Sequence, residues 1–479
     1  MKKLLRKFPL VAVIAAALCN VIGGGINVLI VDIQNSAIGI GNWIPLAVVL
    51  GGLIAVFISL VYSSLATAMP RAGGGYIYIS RGLSPFWGFI GSFLKWASSV
   101  IALGSVSYMD ATLLVTALHY LGLHSLEAFF ATQIGMVVSS LSIIWFFWLI
   151  HYFGVRKYAY TVILLAFLMF LGGGLMILIG FTHTPTNFLN VTKATLPHVK
   201  ENHSILNLMY AVAILFWAYI GFTSISQSGG EIENPKRNLP RAFIISSLLI
   251  MIYYFIYSTA VYHAVPWQYM VGMKDINVPA LLGVFLPPGF ATIITLFVFL
   301  TLANDVPPML YAKSRLFYGW ARDGIIPRIF EKTNKYKVPS MAMGAVALTA
   351  SAIAVSCVFG GFFTEVDVVV ISRFLVYILI SLSLINLKNK NKKIYKQIKF
   401  LKNRTIQITA SIISLVFSFL LLGVLLYMDL TSGAVWYEMS SVQSAIIIAI
   451  GAAMYYSFVW RMKKAGKDYN KVFESLPSE

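Results

Sequence analysis

Four ionisable residues, Lys95, Asp110, Asp305 and Arg373, stand inside stretches that are otherwise apolar. A charge within a hydrocarbon layer is costly, and where one persists it marks a pathway, a proton relay or a buried partner. Asp305 is followed by Pro307 and Pro308, which weaken a helix locally and free carbonyls. A carboxylate there could bind sodium, accept a proton, form a salt bridge or cap a helix. An unpaired guanidinium at Arg373 is not expected; Asp305, or Asp32 as an outer-gate pair, are its candidate partners. Lys95 and Asp110 share one predicted helix but are about 22 Å apart at the helical rise, too far to pair with each other. Both are near enough to the helix ends that snorkelling to the interfaces is expected.

A second kind of chemistry lies in the backbone. The run Val21-Ile22-Gly23-Gly24-Gly25-Ile26-Asn27 puts three glycines in the middle of an apolar stretch, each costing about 1 kcal/mol against alanine in a helix. Unpaired backbone at membrane depth is tolerated only where protein or a cavity satisfies it. A helix restarting there would offer N–H groups and the positive end of its dipole to a carboxylate. Close packing of helices through small residues reads the same triplet equally well. A second interruption follows in Phe216-Trp217-Ala218-Tyr219-Ile220-Gly221-Phe222-Thr223, before Gly229-Gly230-Glu231-Ile232-Glu233-Asn234-Pro235-Lys236-Arg237-Asn238-Leu239-Pro240-Arg241-Ala242. Two glycine breaks five helices apart fit a transporter built of inverted repeats, with substrate held at the midplane.

The elements that carry these residues follow from composition. Of 479 residues, 59% are hydrophobic and 11% charged, against about 25% charged in a soluble domain, and the mean hydropathy is +0.81. This is an all-α polytopic membrane protein. A cytosolic enzyme, a nucleic-acid-binding domain and a disulfide-rich secreted scaffold are excluded; Cys19 and Cys357 lie in apolar runs and imply no disulfide framework. At about 20 apolar residues per span, twelve predicted helices cover Phe8–Val31, Trp43–Ala66, Phe86–Leu118, Leu126–Ile150, Tyr158–Phe181, Ile205–Ser228, Ala242–His263, Phe290–Tyr311, Met341–Phe359, Val366–Leu387, Ile406–Tyr427 and Val442–Trp460. The first reads as a retained helix, not a signal peptide.

The net charge of +19 is a topology signal first. With the N-terminus inside, the predicted inner segments hold 31 of the 36 basic residues, and the outer loops only Lys193, Lys200 and Lys274. Both termini are expected in the cytoplasm of a plasma-membrane protein. The basic run Lys388–Arg404 reads as a topology anchor, with an anionic-lipid site as the minority reading. Other chemistries look absent. The seven histidines form no zinc pattern, there is no Walker A motif, and no TVGYG filter. No metal, cofactor or enzymatic activity is expected.

On three stretches the chain resembles the amino acid–polyamine–organocation permeases. These are the glycine-broken first helix, the segment Glu231-Ile232-Glu233-Asn234-Pro235-Lys236-Arg237-Asn238-Leu239-Pro240-Arg241-Ala242, and Ser314-Arg315-Leu316-Phe317-Tyr318-Gly319-Trp320-Ala321-Arg322-Asp323-Gly324-Ile325-Ile326-Pro327. Pro70-Arg71-Ala72-Gly73-Gly74-Gly75-Tyr76 is a weaker match. The resemblance implies a LeuT-like 5+5 inverted repeat: residues 1–181 and 205–387 as the two repeats, 405–462 as helices 11 and 12, and 463–479 as a cytoplasmic tail. It implies a substrate site of Val21, Gly23, Gly24, Gly25, Ile26, Trp217, Ala218, Tyr219 and Ile220. The substrate α-carboxylate would sit on the amides of Gly23–Gly25. Its α-amino group would meet the carbonyls of Val21, Trp217 and Ile220, and Trp217 and Tyr219 would be walls or lids, or else interior packing. Asp305 and Arg373 are the candidates for coupling or charge balance.

The chain also departs from the family. The lysine that some proton-coupled relatives carry in helix 5 is missing from Tyr158–Phe181, and the helix 8 region reads Thr301-Leu302-Ala303-Asn304-Asp305 where sodium-coupled relatives place hydroxyl residues. The coupling ion, proton or sodium, is left open. The expected function is secondary transport of an amino acid by alternating access. A neutral or apolar side chain is preferred, because Thr223 stands where some cation-selective relatives place an acid. A polyamine or other amine transporter, and a non-transporting amino-acid sensor, are the alternatives.

Overall fold

Helices let an apolar chain pair its own backbone groups without water, and this chain forms little else. The structure is a computed structural model that describes residues 4, 6–273, 277–287, 289–290, 303–360, 365–466 and 471–477. Among the described residues there is no β-strand, only isolated bridges between Phe8 and Ile232 and between Ala72 and Ser228. The helices are α1 (Leu10–Cys19), α2 (Gly24–Ser36), α3 (Ile44–Ala68), α4 (Gly75–Gly82), α5 (Pro85–Tyr120), α6 (His124–Phe130), α7 (Gln133–Tyr152), α8 (Val155–Thr182), α9 (Pro185–Thr192), α10 (Ile205–Leu215), α11 (Pro235–Ala264), α12 (Trp267–Met270), α13 (Val278–Gly283), α14 (Val306–Arg322), α15 (Ser340–Gly360), α16 (Glu365–Lys390), α17 (Arg404–Thr431) and α18 (Ser440–Lys464).

Among the described residues nine helices are long and apolar enough to cross a membrane. They overlap nine of the twelve expected spans, with ends that differ by up to several residues, as where Pro235–Ala264 begins before the expected Ala242. The expected span Phe290–Tyr311 is described only in part: residues 291–302, including Thr301 and Leu302, lie outside the described residues, as does Lys274. Large apolar side chains such as Ile134 (70% exposed) and Phe167 (64%) face outward along these helices, the surface a bilayer would cover.

Local signals set the helix ends. Pro85 opens α5 behind Ser84, whose hydroxyl accepts the amide of Trp87, an N-cap arrangement. Thr184 and Asn187 form a reciprocal capping box at α9. Asn234, at φ 44°, turns the chain so that Pro235 can open α11. α3 packs along α11, and α1 lies against α8 and α11. Two apolar segments are interrupted: α1 and α2 are halves of one, and α10 with the turns after it forms the other. They position the site.

Candidate functional site

In the first interrupted segment α1 stops at Cys19, Asn20–Gly23 leave the helical path, and α2 restarts at Gly24 with Gly23 at φ −149°, ψ −141°. In the second, α10 stops at Leu215 and a 3-10 turn covers Phe216–Tyr219. Ile220 is extended, Gly221 sits at φ 150°, and a second 3-10 turn runs Phe222–Gln227. The two breaks touch. Asn20 Nδ2 donates to the Gly221 carbonyl at 2.8 Å, and a Cβ on Gly221 would strike the carbonyl oxygen of Asn20. Both its φ and this close approach require glycine.

Side chains from neighbouring helices serve the backbone groups that the breaks release. Tyr254 of α11 places its hydroxyl 2.6 Å from the carbonyl of Val21 and 2.9 Å from that of Ala218. A hydroxyl has one proton, so the two carbonyls share a single donor that spans both breaks. Asn304 Nδ2 donates to the Ile22 carbonyl at 3.1 Å, and Asn27 Nδ2 to that of Gly23 at 3.0 Å. Asn27 Oδ1 in turn accepts from Tyr257.

A small cavity opens between the breaks. Asn20, Val21, Trp217, Ile220 and Gly221 line it, together with Asp305, Lys313, Ser99 and Arg373. Of the site residues expected from sequence, Val21, Trp217, Ile220, Asp305 and Arg373 therefore meet here. Gly23, Gly25, Ile26, Ala218 and Tyr219 do not line the cavity, and the covering groups explain why. The Asp305 carboxylate lies against Gly23 and the Trp217 ring against Gly25, each filling the place a Cβ would take. Gly24 is the first residue of α2. Ile26 is buried in the core. Tyr219 is an interior packing residue: its hydroxyl donates to the Val48 carbonyl at 2.8 Å and its ring rests on Phe216 and Tyr254. The Trp217 carbonyl accepts the amide of Ile220 at 2.9 Å.

The charges differ from expectation. Lys95 (2% exposed) and Asp110 (0%) are buried in protein, so neither snorkels. Arg373 forms no ion pair with Asp305 or Asp32; it donates to Ser99. Asp32 instead accepts from Asn35 at 3.4 Å. Lys95 Nζ donates to the Thr223 carbonyl at 3.3 Å and to its hydroxyl at 3.1 Å. Lys313 Nζ reaches the Ser224 hydroxyl at 3.4 Å. Lys313 is the residue that sequence reading missed. The predicted span ends at Tyr311, which assigns Lys313 to an inner loop, whereas α14 continues to Arg322 and buries it. The polar run Lys313-Ser314-Arg315 breaks the hydropathy signal, although the helical period continues through it.

One end of the bundle is held by two buried ion pairs. Arg315 grips Glu231 through two nitrogens at 2.7 and 2.9 Å, and Tyr311 donates to the same carboxylate at 2.7 Å. Arg81 grips Asp323 at 2.7 and 3.1 Å, joined by Tyr76 at 2.5 Å. Phe8 pairs with the chain there through amide-to-carbonyl bonds with Glu231 and Glu233 at 3.0 and 3.1 Å. Of these residues, Glu231, Glu233, Arg315, Asp323 and Tyr76 come from the stretches that carry the family resemblance. At the exposed junction of α5 and α6, His119, His124 and Glu127 form the group whose donor set suits a metal ion. The imidazoles here bond to Glu127 at 2.9 and 3.1 Å. Hydrogen bonds from His124 and His119 hold the Glu127 carboxyl below its usual range.

The sequence is similar to known transporters over most of its length. The family described as Amino acid permease matches residues 2–453. The chain is 26% identical to the aspartate-proton symporter of Bacillus subtilis, over 60% of this chain and 55% of that protein. It is 28% identical to the branched-chain amino acid permease BcaP of Lactococcus lactis, over 65% and 67% respectively. It is 24% identical to the vacuolar cationic amino acid transporter 4 of Arabidopsis thaliana, over 74% and 58%. The matches thus span between about half and two thirds of these relatives' lengths.

Proposed function

The chain belongs to the amino acid permease family, and from that premise we propose that it carries an amino acid across the membrane by alternating access, bound in the cavity between its two broken segments. The observation that carries this reading is the meeting of the breaks around one cavity, tied by Asn20 to Gly221 and by Tyr254 to Val21 and Ala218. Interrupted helices offer dipole ends and spare carbonyl lone pairs to a zwitterion. The α-carboxylate takes the amide end of α2 at Gly23–Gly25, and the α-ammonium the carbonyls of Val21 and Ile220. Trp217 over Gly25 must move aside for this.

Asp305 is the charge-balancing residue in this scheme. Its carboxylate lies against Gly23, at the end of α2 where an anion is favoured. A substrate carboxylate arriving there meets a like charge, so Asp305 must swing away or take up a cation. Which ion it takes up, proton or sodium, decides the coupling.

The remaining architecture of the proposal is a LeuT-like pair of inverted repeats, residues 1–181 and 205–387, followed by 405–462 and a tail at 463–479. Twelve spans result when the two interrupted segments and Phe290–Tyr311 are added to the nine continuous helices. The distribution of basic residues favours both termini in the cytoplasm, in keeping with a plasma-membrane protein. Lys236, Arg237 and Arg241 share a groove with Lys399, from the basic run Lys388–Arg404, which favours an anionic lipid headgroup at that surface.

The relatives' names cover acidic, branched-chain and cationic substrates, and they leave the side chain open. The expectation of a neutral or apolar side chain rests on Thr223 standing where some cation-selective relatives place an acid, which weighs against basic amino acids, although the Asp305 carboxylate does lie against Gly23. Lys313 and Arg373 in the cavity wall weigh the same way against a polyamine. The test is binding to the purified chain of an amino acid, its amide and its decarboxylated amine. The amide and amine should bind at least tenfold more weakly, about 1.4 kcal/mol. Equal binding of the amine would support the polyamine alternative.

A further inference from the structure

We infer that the side chain of the transported amino acid ends in a carboxylate, which Lys313 and Arg373 receive with Lys95 behind them. The inference rests on the amino-acid carrier proposed above and names its substrate class.

The fold elsewhere gives each buried guanidinium a carboxylate. Arg81 has Asp323 and Arg315 has Glu231, each gripped through two nitrogens. At the cavity it does not. Lys95, Lys313 and Arg373 come from three different helices, α5, α14 and α16, and are almost wholly buried. Among the described residues none of the three is in an ion pair. Their partners are neutral: Thr223 for Lys95, Ser224 for Lys313 and Ser99 for Arg373. Arg373 Nε has no hydrogen-bond partner among the described residues. The three groups are close enough to repel one another.

Withdrawing such charges from water costs several kcal/mol per ion unless an opposite charge answers them. A lysine can escape by giving up its proton; an arginine does not. Asp305 also lines the cavity, but it lies against Gly23 and Arg373 does not bind it. The geometry therefore has two poles. On the glycine side it can hold the zwitterionic head of an amino acid. Beside Ser99, Lys313 and Arg373 it presents positive charge that no carboxylate among the described residues pairs with. A cationic side chain would be repelled there, and an aliphatic one would leave the charges unanswered. A side-chain carboxylate supplies the missing partner, with the planar guanidinium of Arg373 suited to bind it through two nitrogens.

Lys95 and Lys313 hold adjacent residues, Thr223 and Ser224, on the turn just beyond the Gly221 break. An anion drawing Lys313 away from Ser224 would release that turn. Substrate recognition and movement of the second broken segment are thereby joined in one residue.

The experiment compares ligand binding to the full-length chain for L-aspartate, L-glutamate, their amides L-asparagine and L-glutamine, L-leucine and L-lysine, by thermal shift and by competition. The expected result is that aspartate or glutamate binds at least tenfold tighter than its own amide. Arg373→Gln and Lys313→Gln should each remove most of that preference, the affinity for the acid falling toward that for its amide. Tightest binding by leucine, lysine or an amide overturns the inference. So does an acid preference that persists unchanged in both variants. If neither variant folds, the acid-to-amide ratio of the unaltered chain decides alone. Failure of every amino acid to bind contradicts the carrier reading itself, a result distinct from binding with the wrong preference.

Discussion

Single residues at the breaks make the sharpest claims. A side chain at Gly25 would enter the Trp217 ring. Gly25→Val should therefore abolish substrate binding while the protein still inserts and melts cooperatively; retained binding in a calorimetric titration would put the pocket elsewhere. Tyr254 offers its one hydroxyl proton to carbonyls of both breaks, and Tyr254→Phe leaves them without that shared donor. A cost of about 1–3 kcal/mol is expected, seen as a lower unfolding midpoint together with weaker substrate binding. At Asp305, substitution by asparagine keeps the shape and removes the charge. Asp305→Asn should preserve exchange of substrate across liposomes but lose accumulation driven by an imposed proton or sodium gradient. Unchanged accumulation would end the coupling role. The sequence announces some of these residues and hides others. The glycine triplet is visible because three consecutive glycines in an apolar run are costly in a helix. Asp305 and Arg373 are visible as charges among apolar neighbours. Tyr254 is one of 25 tyrosines, and only the packing of α11 against both breaks gives it a role. Lys313 is hidden because hydropathy falls before the helix ends.

At the scale of elements, the breaks divide two spans into halves that neighbouring helices hold in place. α11 supplies Tyr254 and Tyr257, α5 supplies Ser99 and Lys95, and α14 supplies Lys313. The break in α1–α2 is legible in its glycines, but which backbone groups the break exposes is not. The resemblance offers the carbonyls of Val21 and Trp217 to an ammonium group, and here they already accept from Tyr254 and from the amide of Ile220. Such local bonds depend on the path taken by each half-helix, which composition does not fix. The ion pair between Glu231 and Arg315 ties the end of the second broken segment to α14. Removing one member of a buried pair costs about 3–5 kcal/mol. Arg315→Ala should destabilise the protein by that order in a denaturation experiment and raise labelling of cysteines introduced near Phe8. A variant as stable as the original would contradict the part given to the pair in holding that end of the bundle.

For the whole molecule, composition alone gives the all-α membrane class, because no soluble core could bury so apolar a chain. The positions of basic residues give an orientation, and that orientation is testable. Cys19 and Cys357 are buried, so introduced cysteines can be read against a low background. In intact cells an impermeant thiol reagent should label Lys200→Cys from outside, and Lys392→Cys only after the membrane is opened; the reverse pattern would invert the topology. What the sequence could not supply is the meeting of Lys313 and Arg373 in one cavity wall with Lys95 buried nearby, since that depends on how α5, α14 and α16 pack. The central claim is that an amino acid crosses this molecule through the cavity between the two breaks. Counterflow tests it most directly: the purified chain in liposomes loaded with unlabelled amino acids, with labelled amino acid outside. The account predicts transient accumulation of label, absent with Gly25→Val. A folded protein that binds an amino acid yet shows no counterflow for any of them would contradict it and make the molecule a sensor.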